Sequence, residues 1–355
     1  MRAAQYYGNR DIRVEEVAAP ETGPGQVTLD VEAAGICGTD LHEYAAGPIL
    51  TPSEQPHVVT GETIPVGLGH EMSGVVSDVG AGVSDLEAGQ RVTVNPMLPC
   101  GECRYCDEGK YNVCEHLGFV GLSGNGGGFA EQVTVPARNV VALPSSVPLE
   151  AGALVEPLTV GLHAVRRSPM DAGDSVAVFG SGPIGLAIVQ AARAAGAGEI
   201  FVSEPNRKRR ERSAVVGADR PIDPTDEDPV EVIRSETGSG VEVAFEVAGV
   251  EPSYDQALRS TVHDGHLTLV GIYEEPVSFD PNEVVLVERT VGGANAFLGG
   301  PLSKREFEMT VSMLDRGELR ADPLVTRRIG LDDVVDGFES LLERDNDDVK
   351  VLVEP

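Results

Sequence analysis

Ser175–Gly185 reads SVAVFGSGPIG, and the segment LAIVQAARAAGA continues from Leu186 to Ala197. Val176 to Phe179 form an apolar run of strand length, and the alanine-rich segment after the glycines has helical composition. Between them lies G-x-G-x-x-G, set by Gly180, Gly182 and Gly185. A strand, this spacing and then a helix form the context in which the motif holds a dinucleotide. Gly180 permits the tight turn, Gly182 lets the backbone approach a pyrophosphate, and Gly185 allows close packing of helix on strand. Pro183 and Ile184 open the helix, whose N-terminus favours phosphate charge.

A second strand, Glu199–Ser203, ends at Glu204, nineteen residues beyond Gly185. A carboxylate there accepts hydrogen bonds from the adenosine ribose hydroxyls and selects NAD, while repelling the extra phosphate of NADP. Arg207, Lys208, Arg209 and Arg210 follow. An arginine such as Arg209 near that hydroxyl can hold a phosphate, so NADP stays open as the less favoured cofactor. The plainer reading of the run is the solvated first turn of a helix. Val241–Glu246, His266–Gly271 and Thr290–Ala294 read as further strands separated by helical stretches. This alternation predicts an α/β fold with a doubly wound parallel sheet over residues 155–293. Upstream, valine, glycine and proline with closely spaced turns (Pro24-Gly25, Gly80–Gly82) predict a mostly β domain. The last sixty residues are too few for a domain of their own, so residues 1–154 and 294–355 are assigned together.

All five cysteines of the chain fall where zinc ligands are expected. Cys100, Cys103, Cys106 and Cys114 form C-x2-C-x2-C-x7-C within fifteen residues. Four thiolates complete a tetrahedral shell with no open position, the pattern of a structural zinc. Two disulfides are the competing reading; the absence of an apolar leader in MRAAQYYGNRD argues against an oxidising compartment and for the cytoplasm. Cys37 lies far upstream in GICGTDLHE, followed by Gly69-His70-Glu71. One thiolate, one imidazole and one carboxylate leave a position for water or substrate, the pattern of a catalytic zinc. Taken alone, Cys37 reads as a small buried hydrophobe and His70 as a core histidine.

The chain of 355 residues carries 57 acidic against 27 basic side chains, a net charge of -30, with only four lysines. Acids are spread along its length, so an acidic tail is not indicated. Such a surface repels nucleic acid and anionic membranes. It resembles the acidic, lysine-poor proteins of salt-loving archaea, whose mutual repulsion concentrated salt screens. Ser175–Ala192 is the longest uncharged stretch, and its glycine turn makes it strand and helix rather than a membrane span.

With these residues in place, the chain resembles the zinc-dependent medium-chain dehydrogenase/reductase superfamily along its full length, and is most similar to (R,R)-2,3-butanediol dehydrogenases and sorbitol dehydrogenase-like enzymes. YGNRDIRVEEV, GICGTDLHEY, LGHEMSGVV, the four-cysteine lobe, GFVGLSGNGGGFAE, LVEPLTVGLHAV, VAVFGSGPIG and FEVAGV carry the likeness. It implies a GroES-like catalytic domain holding both zincs and a Rossmann domain holding NAD. It implies that Cys37 and His70 bind the catalytic zinc, with Glu71 or Glu156 as third ligand, directly or through water. Asp40 fits the carboxylate that orients His70. Hydride transfer from an alcohol or vicinal diol to NAD is implied, with a proton relay through Thr39, a ribose hydroxyl and His42. Residues 47–65, GPILTPSEQPHVVTGETIP, either line the substrate mouth or form a surface loop. His57, His116, His163, His263 and His266 are left as structural. A homodimer or homotetramer is implied.

Sorbitol, threonine, glucose and simple alcohols remain alternative substrates within this class. Two other classes compete. A zinc-binding interaction module leaves the glycine loop unexplained. A non-catalytic nucleotide-binding relative would lack Cys37, His70 or Thr39, and none is missing.

Overall fold

Strand Val176–Phe179 leads through the glycine loop into helix Pro183–Ala194 in the computed structural model of the protein, which describes residues 1–298, 304–343 and 346–355. Residues 157–297 and 317–324 form one unit. Its sheet has six strands in the spatial order Arg220–Ile222, Ile200–Ser203, Val176–Phe179, Val241–Glu246, Thr261–Leu269 and Thr290–Gly293. All neighbours are parallel, and the chain order across the sheet is that of a doubly wound dinucleotide fold. The adjacent apolar strands Val176–Phe179 and Ile200–Ser203 are buried on both faces, as a sheet flanked by helices requires.

Arg220–Ile222 is the strand that hydrophobic patterning missed. It is three residues long, contains Pro221 and lies at the sheet edge, where a proline costs no ladder bond. The expected strand at His266–Gly271 instead begins at Thr261. Its register jumps from the Val241–Thr261 pair to the Val243–His266 pair, so an irregular segment masked its first residue.

The other unit comprises residues 1–156, 298–316 and 325–355. Its main sheet runs Val140–Ala142, Arg91–Val94, Glu71–Val79, Gln26–Gly35, Lys350–Glu354 and Val325–Gly330, with Gln132–Pro136 also paired to Gln26–Gly35. The C-terminal strand Lys350–Glu354 thereby sits beside the strand that ends just before Cys37, pairing Leu352 with Gly35. A smaller sheet joins Asp11–Glu16, Arg2–Gly8 and Val66–Gly67.

Helix Gly38–Ala46 follows Cys37 because Asp40 folds back to accept the Cys37 N–H at 2.9 Å, closing a first turn that lacks intrahelical partners. Tyr44 on this helix packs edge-on against Phe338 at 5.3 Å, and Phe338 against Phe129 at 5.9 Å. Each such pair contributes about 0.5–1.5 kcal/mol beyond its burial. The helix is thus anchored by residues from the far end of the chain. Among the described residues no helix is long and apolar enough to cross a membrane.

Candidate functional site

The four-cysteine lobe is assembled by a short helix, Arg104–Asp107, and the turns around it. Neighbouring sulfurs stand 3.4 Å (Cys100–Cys114), 3.6 Å (Cys103–Cys106), 3.8 Å (Cys103–Cys114) and 3.9 Å (Cys100–Cys106) apart. All five cysteines of the chain are unbridged, and a disulfide needs about 2.0 Å between sulfurs. A tetrahedron with zinc–sulfur bonds of about 2.3 Å has edges of about 3.8 Å. The donors fit zinc. Backbone N–H groups of Cys100 and His116 both point at the Cys114 sulfur, each at 3.4 Å, which suits a thiolate acceptor.

The second cluster is gathered from distant segments. Ligand atoms of Cys37, His70 and Glu71 lie within 4.8 Å of one another. Cys37 caps helix Gly38–Ala46, and Glu71 opens strand Glu71–Val79 immediately after His70. His70 and Glu71 are buried, Glu71 completely so. The His70 Nδ1 lies 3.3 Å from Asp40 Oδ1, yet neither atom makes an aligned hydrogen bond among the described residues. Burial disfavours charge on His70, but Asp40 and Cys37 outweigh it and raise its pKa well above the ordinary imidazole value. A field that draws a cation to this imidazole, together with a thiolate and a carboxylate, fits a zinc ion.

Glu71 has a partner that sequence reasoning did not name. Lys350 Nζ donates to Glu71 Oε1 at 2.6 Å, to Oε2 at 2.7 Å and to the Ile36 carbonyl at 3.0 Å. The ammonium has three protons, so it is fully satisfied, although it is only 1% exposed. Gly35 makes the close approach possible, since a Cβ there would meet Glu71 Oε2 at 2.0 Å. The one available signal was scarcity: Lys350 is one of four lysines in the chain and stands in the apolar run VKVLV.

Glu156, in the first turn of helix Val155–Arg167, stands outside the trio but within its field. Burial pushes its pKa up to about 7; Glu71 and Asp40 push the same way, while His70 and Lys350 oppose. Thr39 Oγ1 is 3.8 Å from the Cys37 sulfur, and His42 follows one turn later on the same helix face. Both are half-buried. The 47–65 segment begins under a clamp: Glu43, fully buried, accepts from Ile49 N at 2.9 Å, from Thr51 Oγ1 at 2.7 Å and from Leu50 N. Ile49, Leu50 and Val58 beyond it are exposed apolar residues.

In the other unit, Gly180 has φ 103°, a Cβ on Gly185 would meet the Gly180 carbonyl at 2.0 Å, and a Cβ on Gly182 would meet nothing within 4 Å. The open space beside Gly182, at the uncapped start of helix Pro183–Ala194, fits a pyrophosphate. Pro183 and Ile184 form the first turn of that helix. Glu204, nearly buried, accepts from Ser181 N at 2.8 Å and Ser181 Oγ at 3.2 Å on one oxygen, and from Asn206 N at 2.9 Å on the other. It is therefore held against the glycine loop with acceptor capacity to spare. In the basic run, Arg207 pairs with Glu211 at 2.8 Å and Arg210 with Asp223 at 2.7 Å. The Arg209 N–H caps onto Asn206 at 3.0 Å, with its side chain half-buried.

Residues 23–145 match the alcohol dehydrogenase GroES-like domain, and residues 183–316 match the zinc-binding dehydrogenase family. The chain is 43% identical to the (R,R)-butanediol dehydrogenase of Bacillus subtilis over 100% of both chains. It superposes on the crystal structure of the 2R,3R-butanediol dehydrogenase from that organism with a TM-score of 0.92, covering 100% of this chain and 99% of the other. A zinc-binding dehydrogenase from Sinorhizobium meliloti, solved bound to NADP, is 34% identical with a TM-score of 0.89, over 100% and 99% of the two chains.

Proposed function

Because the chain belongs to the zinc-dependent medium-chain dehydrogenases, oxidoreductases of alcohols and diols, we propose that it interconverts a compact vicinal diol, (R,R)-2,3-butanediol, and its hydroxyketone with NAD. The observation that carries this reading is a second buried carboxylate, Glu156, which feels the charges of His70, Glu71, Lys350 and Asp40. A vicinal diol has a second hydroxyl for that carboxylate to accept from, and a simple alcohol has none. Full-length likeness to an (R,R)-butanediol dehydrogenase supports it.

Cys37, His70 and Glu71 would hold the catalytic zinc, and Cys100, Cys103, Cys106 and Cys114 the structural one. When bound, the catalytic zinc supplies a Lewis acid that lowers the pKa of a substrate hydroxyl, and NAD supplies the hydride acceptor. Lys350 offsets the Glu71 charge and holds both its oxygens. Asp40 holds the ring of His70 in one orientation. Thr39 Oγ1 and His42, one turn apart on helix Gly38–Ala46, would carry the substrate proton toward solvent, with a ribose hydroxyl of the cofactor between them. Gly180, Gly182, Pro183, Ile184 and Gly185 would cradle the pyrophosphate, with Glu204 directed to the ribose. NAD is favoured over NADP because the Glu204 carboxylate, held at the glycine loop by Ser181, repels the extra phosphate.

The enzyme works as a homodimer or homotetramer. Strand Thr290–Gly293 lies at the edge of the parallel sheet, with Val285, Leu286 and Val291 exposed near it; such an edge invites pairing with a second copy. The unbridged thiols suit a reducing cytoplasm, and the net charge of -30 suits one rich in salt. Reduction of NAD, followed in concentrated KCl with (R,R)-2,3-butanediol and with sorbitol, tests the reading. A higher kcat/KM for the butanediol is expected; preference for sorbitol, or silence on both, overturns it.

A further inference from the structure

In the parallel-sheet unit, Glu246 ends strand Val241–Glu246 and is 0% exposed. Burying an ionised carboxylate is unfavourable unless hydrogen bonds meet its charge. Four donors meet this one. Its Oε1 accepts from Ala248 N at 2.8 Å, Gly249 N at 2.9 Å and Ser253 Oγ at 2.7 Å. Its Oε2 accepts from the Tyr273 hydroxyl at 2.5 Å. The main-chain carbonyl of Glu246 accepts from Val270 N at 2.9 Å and Gly271 N at 3.1 Å. One residue thus ties the turn after its own strand to the turn after the neighbouring strand, Thr261–Leu269.

The tie sits at the cofactor end of the sheet. In the parallel ladders Glu246 is level with Phe179 on one side and Leu269 on the other, where three adjacent strands end. Val247 N donates to the Phe179 carbonyl at 3.0 Å, and a Cβ on Gly180 would meet Ala248 N at 3.2 Å. The turn after Glu246 therefore lies against the first glycine of the dinucleotide loop. Gly249, with φ 70°, lets the second turn close in, since a Cβ there would meet the Ile272 carbonyl at 2.3 Å. In a doubly wound sheet the dinucleotide lies across the strand ends, one half on each side of the glycine loop. Glu204, just after Ile200–Ser203, marks the adenosine side. The turns after Glu246 and Leu269 are on the other side of Val176–Phe179, where the nicotinamide half falls. Val250 and Ile272 are exposed there. The Tyr273 ring packs on the apolar core of the unit. Burial, then Glu246, raises its pKa, so the hydroxyl remains a donor to the carboxylate.

We propose that Glu246 and Tyr273 are positioning residues for the nicotinamide half of the cofactor, their hydrogen bond latching the two turns against which that half binds. Both act by ordering backbone before the cofactor arrives, and a turn ordered in advance loses less freedom on binding. The inference rests on reading this unit as the NAD site.

Isothermal titration of the zinc-loaded, full-length protein with NADH and with ADP-ribose tests the latch. ADP-ribose carries the adenosine and the pyrophosphate but no nicotinamide. Tyr273→Phe keeps the packed ring and removes only the hydroxyl. NADH binding weakened about tenfold is expected, with ADP-ribose binding within about twofold of that of the unaltered protein. Glu246→Gln, which keeps the shape of the side chain, is expected to show the same selective loss. Equal weakening of both ligands overturns the proposal, because the pair then only holds the unit together. So does NADH binding that Tyr273→Phe leaves unchanged. If the unaltered protein itself binds no NADH, the cofactor reading fails, and this inference with it.

Discussion

The two metal-ligand clusters lie in one unit of the chain, yet they are built in opposite ways. The cysteine lobe draws four like ligands from fifteen consecutive residues, Cys100 to Cys114, and its geometry follows from a few tight turns. The other cluster draws a thiol from a helix cap, an imidazole and a carboxylate from a strand start, and a balancing ammonium from Lys350 near the end of the chain. One closes locally. The other exists only when the sheet has formed. The first should tolerate loss of the rest of the site, while the second should fail with any one of its contributors.

The largest expected effect is that of Cys37→Ser. Activity should vanish and bound zinc should fall by one equivalent per chain, with the lobe still loaded. Zinc content measured by atomic emission beside turnover checks this, and retained turnover would remove Cys37 from the site. Next is Lys350→Met, which leaves Glu71 as a buried charge without its cation. Metal-free protein should lose about 3–5 kcal/mol of stability, and zinc should restore part of it by supplying positive charge. Adding Glu71→Gln should recover stability in the metal-free state. Denaturant melts of the single and double variants decide the matter; additive losses would show that the pair is not coupled.

A smaller effect is expected from Asp40→Asn. It keeps the helix cap but weakens the hold on His70, so zinc affinity at the catalytic site should fall about 10- to 100-fold while the lobe is untouched. Competition with a chelator measures it. Smallest in its effect on chemistry is Cys106→Ser. Opening the lobe should lower the melting temperature and free one zinc, because structural zinc contributes folding free energy, but leave kcat per folded molecule unchanged. A fall in kcat matching that of Cys37→Ser would erase the contrast between the clusters.

The same contrast explains what could be read beforehand. The glycine loop, the strand before it and the cysteine lobe were legible because turn chemistry and ligand spacing act over a few residues. Arg220–Ile222 was not, since a short edge strand containing Pro221 carries no periodicity of its own. Glu71 and Glu156 were legible as candidates but not distinguishable. Folding sets Glu71 against Lys350 and within reach of Cys37 and His70, and leaves Glu156 beside them.

Sequence by itself determined the ligand types, the glycine loop, the α/β alternation and the acidic surface, all properties of residues or of short spans. Tertiary structure alone decided which carboxylate Lys350 neutralises and how Asp40 meets His70. Those are distances between segments far apart in the chain. Coulombic and desolvation energies depend on separation and burial in space, and neither quantity is written in residue order.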